Sequence, residues 1–265
     1  MRAIEIDLFP REETRGDDIG QFEDELQGFL GCLNSNGNLC GSEWVVLELE
    51  DRVQVRAQAP ADDALEPANW SVYAHKASEK LNGWSHKPLE LRIVPEAVPD
   101  EMCCDCANSS SFILSSTYLS YELPVDCLDC GRPIPLYRLP YLDDYEEHWT
   151  LRQWHKNYQT LDQLYMNSWW GERMAYVLLS NPRASFIKDA REVAAKLEAA
   201  THKPVYVFLL NVYEQRVDAC PRCNRPWLWP DSTKELYAFK CDHCRLISQQ
   251  PTGDPNPDFL SEMHP

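Results

Sequence analysis

Long apolar runs are missing from this sequence. The longest, around Val205–Tyr213, falls far short of the ~20 residues that a helix needs to cross a bilayer. The opening MRAIEIDLFP lacks a basic start followed by a long apolar core, so no secretory leader is expected. The expected compartment is therefore the cytoplasm, where reducing conditions disfavour stable disulfides. Catalytic signatures are missing as well: there is no H-E-x-x-H, P-loop, G-x-S-x-G or dinucleotide-binding glycine pattern. Positive charge is scarce in the first half. Residues 1–148 hold 11 Lys/Arg against 29 Asp/Glu, a net −18, while residues 149–265 hold 14 against 13. Such a negative field repels phosphate backbones and attracts basic partners, or serves only to keep the chain in solution.

Cysteine, by contrast, is plentiful. Eight of the eleven cysteines fall into four C-x-x-C pairs: Cys103/Cys106, Cys127/Cys130, Cys220/Cys223 and Cys241/Cys244. In a reducing compartment, metal binding is the natural use for them. A C-x-x-C turn presents two thiolates on one knuckle, and a second knuckle across a hairpin completes a tetrahedron around zinc. Cys223 and Cys241 are separated by 17 residues and Cys106 and Cys127 by 20, and the spacing of paired zinc knuckles is ~15–20. A thioredoxin-type redox motif would use one C-x-x-C at a helix start after a strand, whereas Cys220/Cys223 and Cys241/Cys244 both sit at turns. Two structural Zn2+ ions are expected, one on Cys220, Cys223, Cys241 and Cys244, the other on Cys103, Cys106, Cys127 and Cys130. Cys104-Asp-Cys106 offers an alternative register for the second. Cys32 and Cys40 read as small apolar core residues.

The fold class expected is α+β. Residues 1–99 read as an acidic domain. Ala3–Phe9 alternates as a strand, Asp18–Leu33 carries Ile19, Phe22, Leu26, Phe29, Leu30 and Leu33 at helical spacing, and Asn34-Ser-Asn-Gly37 stops that helix. Strands at Trp44–Glu50 and Arg52–Ala59, a helix at Ala68–Trp84 and a strand at Leu89–Val94 follow. The order β-α-β-β-α-β is that of a ferredoxin-like sandwich. Pro95–Asp100 reads as a linker and residues 100–141 as a first zinc-ribbon-like segment. Residues 142–215 form a helical region (Leu142–Trp169, Gly171–Ser180, Ala184–Ala200) with a buried strand at Val205–Tyr213. Residues 216–248 form the C-terminal ribbon, with strands at Trp227–Trp229 and Leu236–Lys240, and 249–265 a loose tail.

Three segments together carry a resemblance. Gly131-Arg-Pro-Ile-Pro-Leu-Tyr-Arg-Leu-Pro140 follows a C-x-x-C. Lys203-Pro-Val-Tyr206 precedes an aromatic strand. The end reads Cys-Pro-x-Cys, Trp, then Phe-x-Cys-Asp-x-Cys-Arg-Leu. Over roughly residues 100–248 the chain resembles a bacterial family of zinc-ribbon proteins of unknown function that carries a nucleic-acid-binding label. The resemblance implies zinc at Cys220, Cys223, Cys241 and Cys244.

A shell of four cysteines leaves no open position for a substrate, so no enzyme activity and no catalytic residue is expected. Glu146, Glu147, His148 and His155 share one predicted helix and read as a solvated charged face. Binding is the remaining class. The acidic first half favours a basic protein partner, as for an immunity protein or a toxin inhibitor. The alternative is nucleic acid on the C-terminal ribbon, where Arg222, Arg225, Lys234, Lys240 and Arg245 interleave with Trp227, Trp229, Tyr237 and Phe239. Those aromatics, and the Trp169-Trp170 pair, also suit core packing or interface anchoring.

Overall fold

The computed structural model describes residues 1–14, 19–94, 103–120, 123–143, 147–212, 219–230 and 237–251. The expected linker, Glu146, Lys234, Leu236 and the tail from residue 252 lie outside them. The chain divides into two units, Met1–Cys104 with Ile134–Trp149, and Asp105–Pro133 with Thr150–Pro265.

In the first unit, alternation of apolar and polar residues makes β1 (Arg2–Pro10), and 3.6-residue spacing makes α1 (Ile19–Asn36). The strands β2 (Cys40–Glu48) and β3 (Val53–Ala59), helix α2 (Val72–Gly83) and strand β4 (Ser85–Ile93) follow. The expected element order is present, with 3-10 turns at Asp62–Leu65 and Pro67–Asn69 interposed before α2. The antiparallel sheet runs β2-β3-β1-β4. Ile4, Ile6 and Leu8 meet Phe22, Leu26, Phe29, Leu30 and Leu33 of α1 in its core. The Ser71 hydroxyl caps α2 by accepting the Ala74 N–H at 3.1 Å.

Asp7 falls on the polar side of the β1 alternation, which a one-sided strand would leave wet, yet it is buried. Arg52 at 3.2 Å, Arg92 at 2.7 Å and Gln54 at 2.9 Å close over its carboxylate. Long guanidinium stems can cover a surface that the alternation of a strand marks as open. The helix stop comes at Gly37, which turns at φ 83° and where an added Cβ would meet Leu136 Cβ at 2.5 Å. Glycine answers both the conformation and the close approach.

The second unit contains β5 (Phe112–Leu114), β6 (Val125–Cys127), α3 (Trp149–Asn167), α4 (Glu172–Ser180), α5 (Ser185–Thr201), β7 (Val205–Leu209), β8 (Phe239–Cys241) and β9 (Leu246–Ser248). Its sheet runs β6-β5-β7-β9-β8. The middle strand β7 is parallel to β5 and β9, and each of these pairs antiparallel with an outer strand. Two short hairpins thus flank one buried strand, and each outer strand ends on a cysteine, Cys127 or Cys241. Phe186, Ile187, Ala190, Ala194 and Leu197 form the buried face of α5, which packs on β7.

One local expectation changes, and another narrows to its exposed alternative. The strand foreseen at Trp227–Trp229 is a single bridge from Leu228 to Phe239. There Trp227 turns inward and stacks on Phe239, ring centroids 4.9 Å apart. The Trp169-Trp170 pair, expected as core or interface anchors, lies at the α3–α4 turn with 96% and 99% of its surface exposed.

Candidate metal centres

Three of the C-x-x-C segments are built alike. The residue after the second cysteine adopts a left-handed conformation: Gly131 at φ 73°, Asn224 at φ 59° and Arg245 at φ 54°. The Gly131 N–H donates to the Cys127 carbonyl and the Asn224 N–H to the Cys220 carbonyl, both at 2.8 Å. The Cys127 N–H bonds the Arg132 carbonyl at 2.9 Å and the Cys220 N–H the Arg225 carbonyl at 2.8 Å. These bonds curl the chain so that both sulfurs of a pair face inward. Glycine and asparagine enter the left-handed region readily and arginine does not. Arg245 is held there by its side chain, which grips the Glu198 carboxylate at 2.9 and 3.0 Å and the Asp242 carbonyl at 2.8 Å.

The sulfurs of Cys220, Cys223, Cys241 and Cys244 lie within 4.8 Å of one another. Cys223 Sγ is 3.7 Å from Cys241 Sγ. With Zn–S bonds of about 2.3 Å, neighbouring sulfurs of a tetrahedral site stand about 3.8 Å apart. A disulfide would need about 2.05 Å, and no disulfide joins any of the eleven cysteines. Burial opposes ionisation at Cys223. The Arg225 N–H and the thiols of Cys244, Cys241 and Cys220 outweigh it and lower its pKa to about 7. Burial pushes Cys241 and Cys244 up. Ionising all four thiols here calls for a cation in their midst.

In the second group, Cys104, Cys106, Cys127 and Cys130 converge within the same 4.8 Å. Cys104, not the expected Cys103, stands with the other three. Cys103 is not among the four whose sulfurs come together. Burial pushes the Cys103 thiol up to about 11. The sequence offered Cys-Asp-Cys as an alternative register, and in the structure no left-handed residue follows Cys106 as one follows Cys130, Cys223 and Cys244. Both groups are all-sulfur, four-ligand sets compatible with zinc, and they would hold it in a closed shell. Such an ion supplies a cross-link between chain segments.

The expected solvated helix face does not exist among the described residues. His148 precedes α3 and packs its ring edge-on against Tyr141, centroids 4.8 Å apart. His155 is 1% exposed, with Nδ1 at 2.9 Å from Ser116 Oγ. Burial, with Arg152 and Lys156 nearby, holds its pKa down to about 4. An unfolded histidine titrates near 6.5, so between these values the unfolded chain binds the extra proton. Stability is complete above pH 6.5 and falls as pH drops toward 4. Urea unfolding at pH 7 and pH 5 should give a difference smaller by about 2 kcal/mol in His155→Gln than in the parent chain. An unchanged difference contradicts this assignment.

Of the residues foreseen for a nucleic-acid face, Lys234 lies outside the described residues and the others have different settings. Trp227 and Phe239 are core, Arg245 is committed to Glu198, and Lys240 lies 4.7 Å over the Trp229 ring. Arg222 and Arg225 are exposed. Sequence reading missed Arg183, Lys188 and Arg191, which gather near Arg222 only through the fold.

Comparison with known families matches residues 9–94, 106–210 and 212–251 to three different domains of unknown function (DUF8589, DUF2310 and DUF8594). Among solved structures, a crystal structure of an antibiotic biosynthesis monooxygenase is 13% identical, covering 37% of this chain and all of that one, with a TM-score of 0.30. Rv0793 from Mycobacterium tuberculosis is 10% identical, covering 37% of this chain and 95% of that one, with a TM-score of 0.28. At these scores no activity carries over. The exclusion of enzyme activity made from the sequence is nevertheless withdrawn, because nothing among the described residues speaks positively for a non-enzyme. No helix among the described residues is long and apolar enough to cross a membrane.

An uncharacterized protein of Haemophilus influenzae is 27% identical over 236 residues, covering 84% of this chain and 88% of that protein. A second uncharacterized protein of the same organism is 31% identical over 145 residues, covering 51% of this chain and 69% of its own length. The chain belongs to the same family as this second Haemophilus influenzae protein, a family whose function is uncharacterized.

Proposed function

We propose that this chain is a zinc-bearing interaction protein that docks a basic protein partner. In this reading the first unit is a ferredoxin-like sandwich, and each four-cysteine group holds one structural Zn2+. The observation that carries the binding role is the apolar corner between α3 and α4. Met166, Trp169, Trp170 and Met174 are all exposed there, the two tryptophans almost completely. Tryptophan is enriched among residues that dominate interface energies, and a contiguous exposed apolar patch marks a surface that is covered in use. The basic character of the partner rests on the net −18 of residues 1–148, since complementary charge speeds encounter and suppresses wrong partners.

The purified chain, used as bait in lysate of its own cells with and without nuclease, tests this. Capture of a basic protein should resist nuclease and fall by about tenfold or more for the Trp169→Ser/Trp170→Ser variant. Both side chains are exposed, so the variant should fold normally. Capture that survives the double substitution contradicts the docking surface. Capture lost to nuclease transfers the partner to nucleic acid.

A further inference from the structure

Basic side chains gather at one place in the second unit. Arg183, Lys188, Arg191 and Arg222, with Pro182, line an open cavity of about 410 Å3. No carboxylate is among these lining residues, and among the described residues none of the four cations makes an ion pair. Nearby charges of one sign raise the free energy of each other, so four cations around one hollow that no carboxylate lines attract an anion. Arg191 shows the crowding: burial, and then the neighbouring Arg222, draw its pKa down. Its Nε is also buried without a hydrogen-bond partner. A buried donor left unsatisfied is costly and rare in proteins.

The backbone adds to this. Pro182 and Arg183 lead into α5, a helix of 17 residues whose N-cap, Ala184, has no side-chain oxygen and whose first turn carries no acid. The first amides of any α-helix have no intrahelical acceptor and mark the positive end of its dipole, which is a favourable place for phosphate. Lys188 and Arg191, three residues apart, share a face of this helix. Arg222 comes from the Cys220-Pro-Arg-Cys223 turn, and its Nη1 lies 3.8 Å from Cys244 Sγ.

We propose that this cavity binds the phosphoryl group of a small phosphate monoester. A monoester carries up to two negative charges on one group and offers several acceptor oxygens, which suits a planar guanidinium fork together with a lysine. The volume accommodates a phosphoryl group with a small organic body. A long polyanion fits less well, since the chain as a whole carries −17 and repels extended negative charge. The proposal stands apart from the docking surface at the α3–α4 turn and does not depend on it.

Calorimetric titration of the whole chain at low ionic strength tests it, with a nucleoside monophosphate, the corresponding nucleoside and a short oligothymidylate as probes. The monophosphate should bind saturably and the nucleoside should not. Affinity should fall by about tenfold or more in Arg191→Gln and in the exposed pair Arg183→Gln/Lys188→Gln. Arg191→Lys, which keeps the charge and loses the fork, should fall between the two. Melting curves that match the parent chain would show that the exposed pair leaves the fold intact. Equal binding of monophosphate and nucleoside, or affinity indifferent to these substitutions, overturns the proposal. Oligothymidylate binding far more tightly through the same residues also overturns it, in favour of a nucleic-acid backbone site.

Discussion

Cys241→Ser should release one zinc ion per chain and melt the C-terminal side of the five-stranded sheet. Cys241 is the last residue of β8 and pairs with Leu246 of β9, which in turn lies beside β7. Metal binding supplies about 10–16 kcal/mol of apparent folding free energy in small zinc modules, against about 5–15 kcal/mol for the net stability of a whole domain. Even a fraction of that loss is decisive. The transition of the second unit should fall by more than about 10 °C, at 2–4 °C for each kcal/mol in a domain of this size. Trp227 should become exposed, because it is held by Phe239, two residues from the substituted ligand. The first unit should keep its own transition, since its core of Ile4, Ile6, Leu8 and the α1 face contains no residue of the ribbon. A variant that keeps its full metal content and melts unchanged would remove Cys241 from the ligand set.

The second large effect separates neighbouring cysteines. Cys104→Ser should lower the metal content by about one equivalent, whereas Cys103→Ser should leave it unchanged, because only Cys104 stands with Cys106, Cys127 and Cys130. Both thiols are buried, so a general disturbance of packing would affect the two variants alike. Elemental analysis and a thermal melt on each, side by side, distinguish the cases. Equal loss of metal from both, or loss from Cys103→Ser alone, contradicts the assigned register.

Where sequence pattern and local chemistry agreed, the fold was legible. Ile4, Ile6 and Leu8 alternate and form a strand, Phe22 to Leu33 recur at helical spacing and form α1, and Ala184–Ala200 differs from α5 by one residue at each end. The C-terminal quartet was legible for the same reason, since both of its pairs are true knuckles with a left-handed residue behind them. The first quartet was only partly so: no left-handed residue stands behind its leading pair, and the convergence of Cys104 with the other three is seen only in the fold.

Long-range contacts stayed hidden. The approach of Leu136 to Gly37 has no local signature in either segment. Asp7 reads as a wet-face residue until Arg52, just before β3, and Arg92 of β4 arrive over it. The basic cavity draws Arg183 and Arg191 from one helix start and Arg222 from a cysteine turn more than thirty residues later, and periodicity carries no trace of that meeting.

The central claim is that each four-cysteine group holds a structural zinc ion. The most direct test is the zinc content of the purified chain by atomic emission, read with a thiol titration on the same sample. The account predicts about two zinc ions per chain, with the eight ligand thiols protected until a chelator removes the metal and the fold with it. Less than about one zinc per chain, with those thiols reactive in a chain that remains folded, would contradict it.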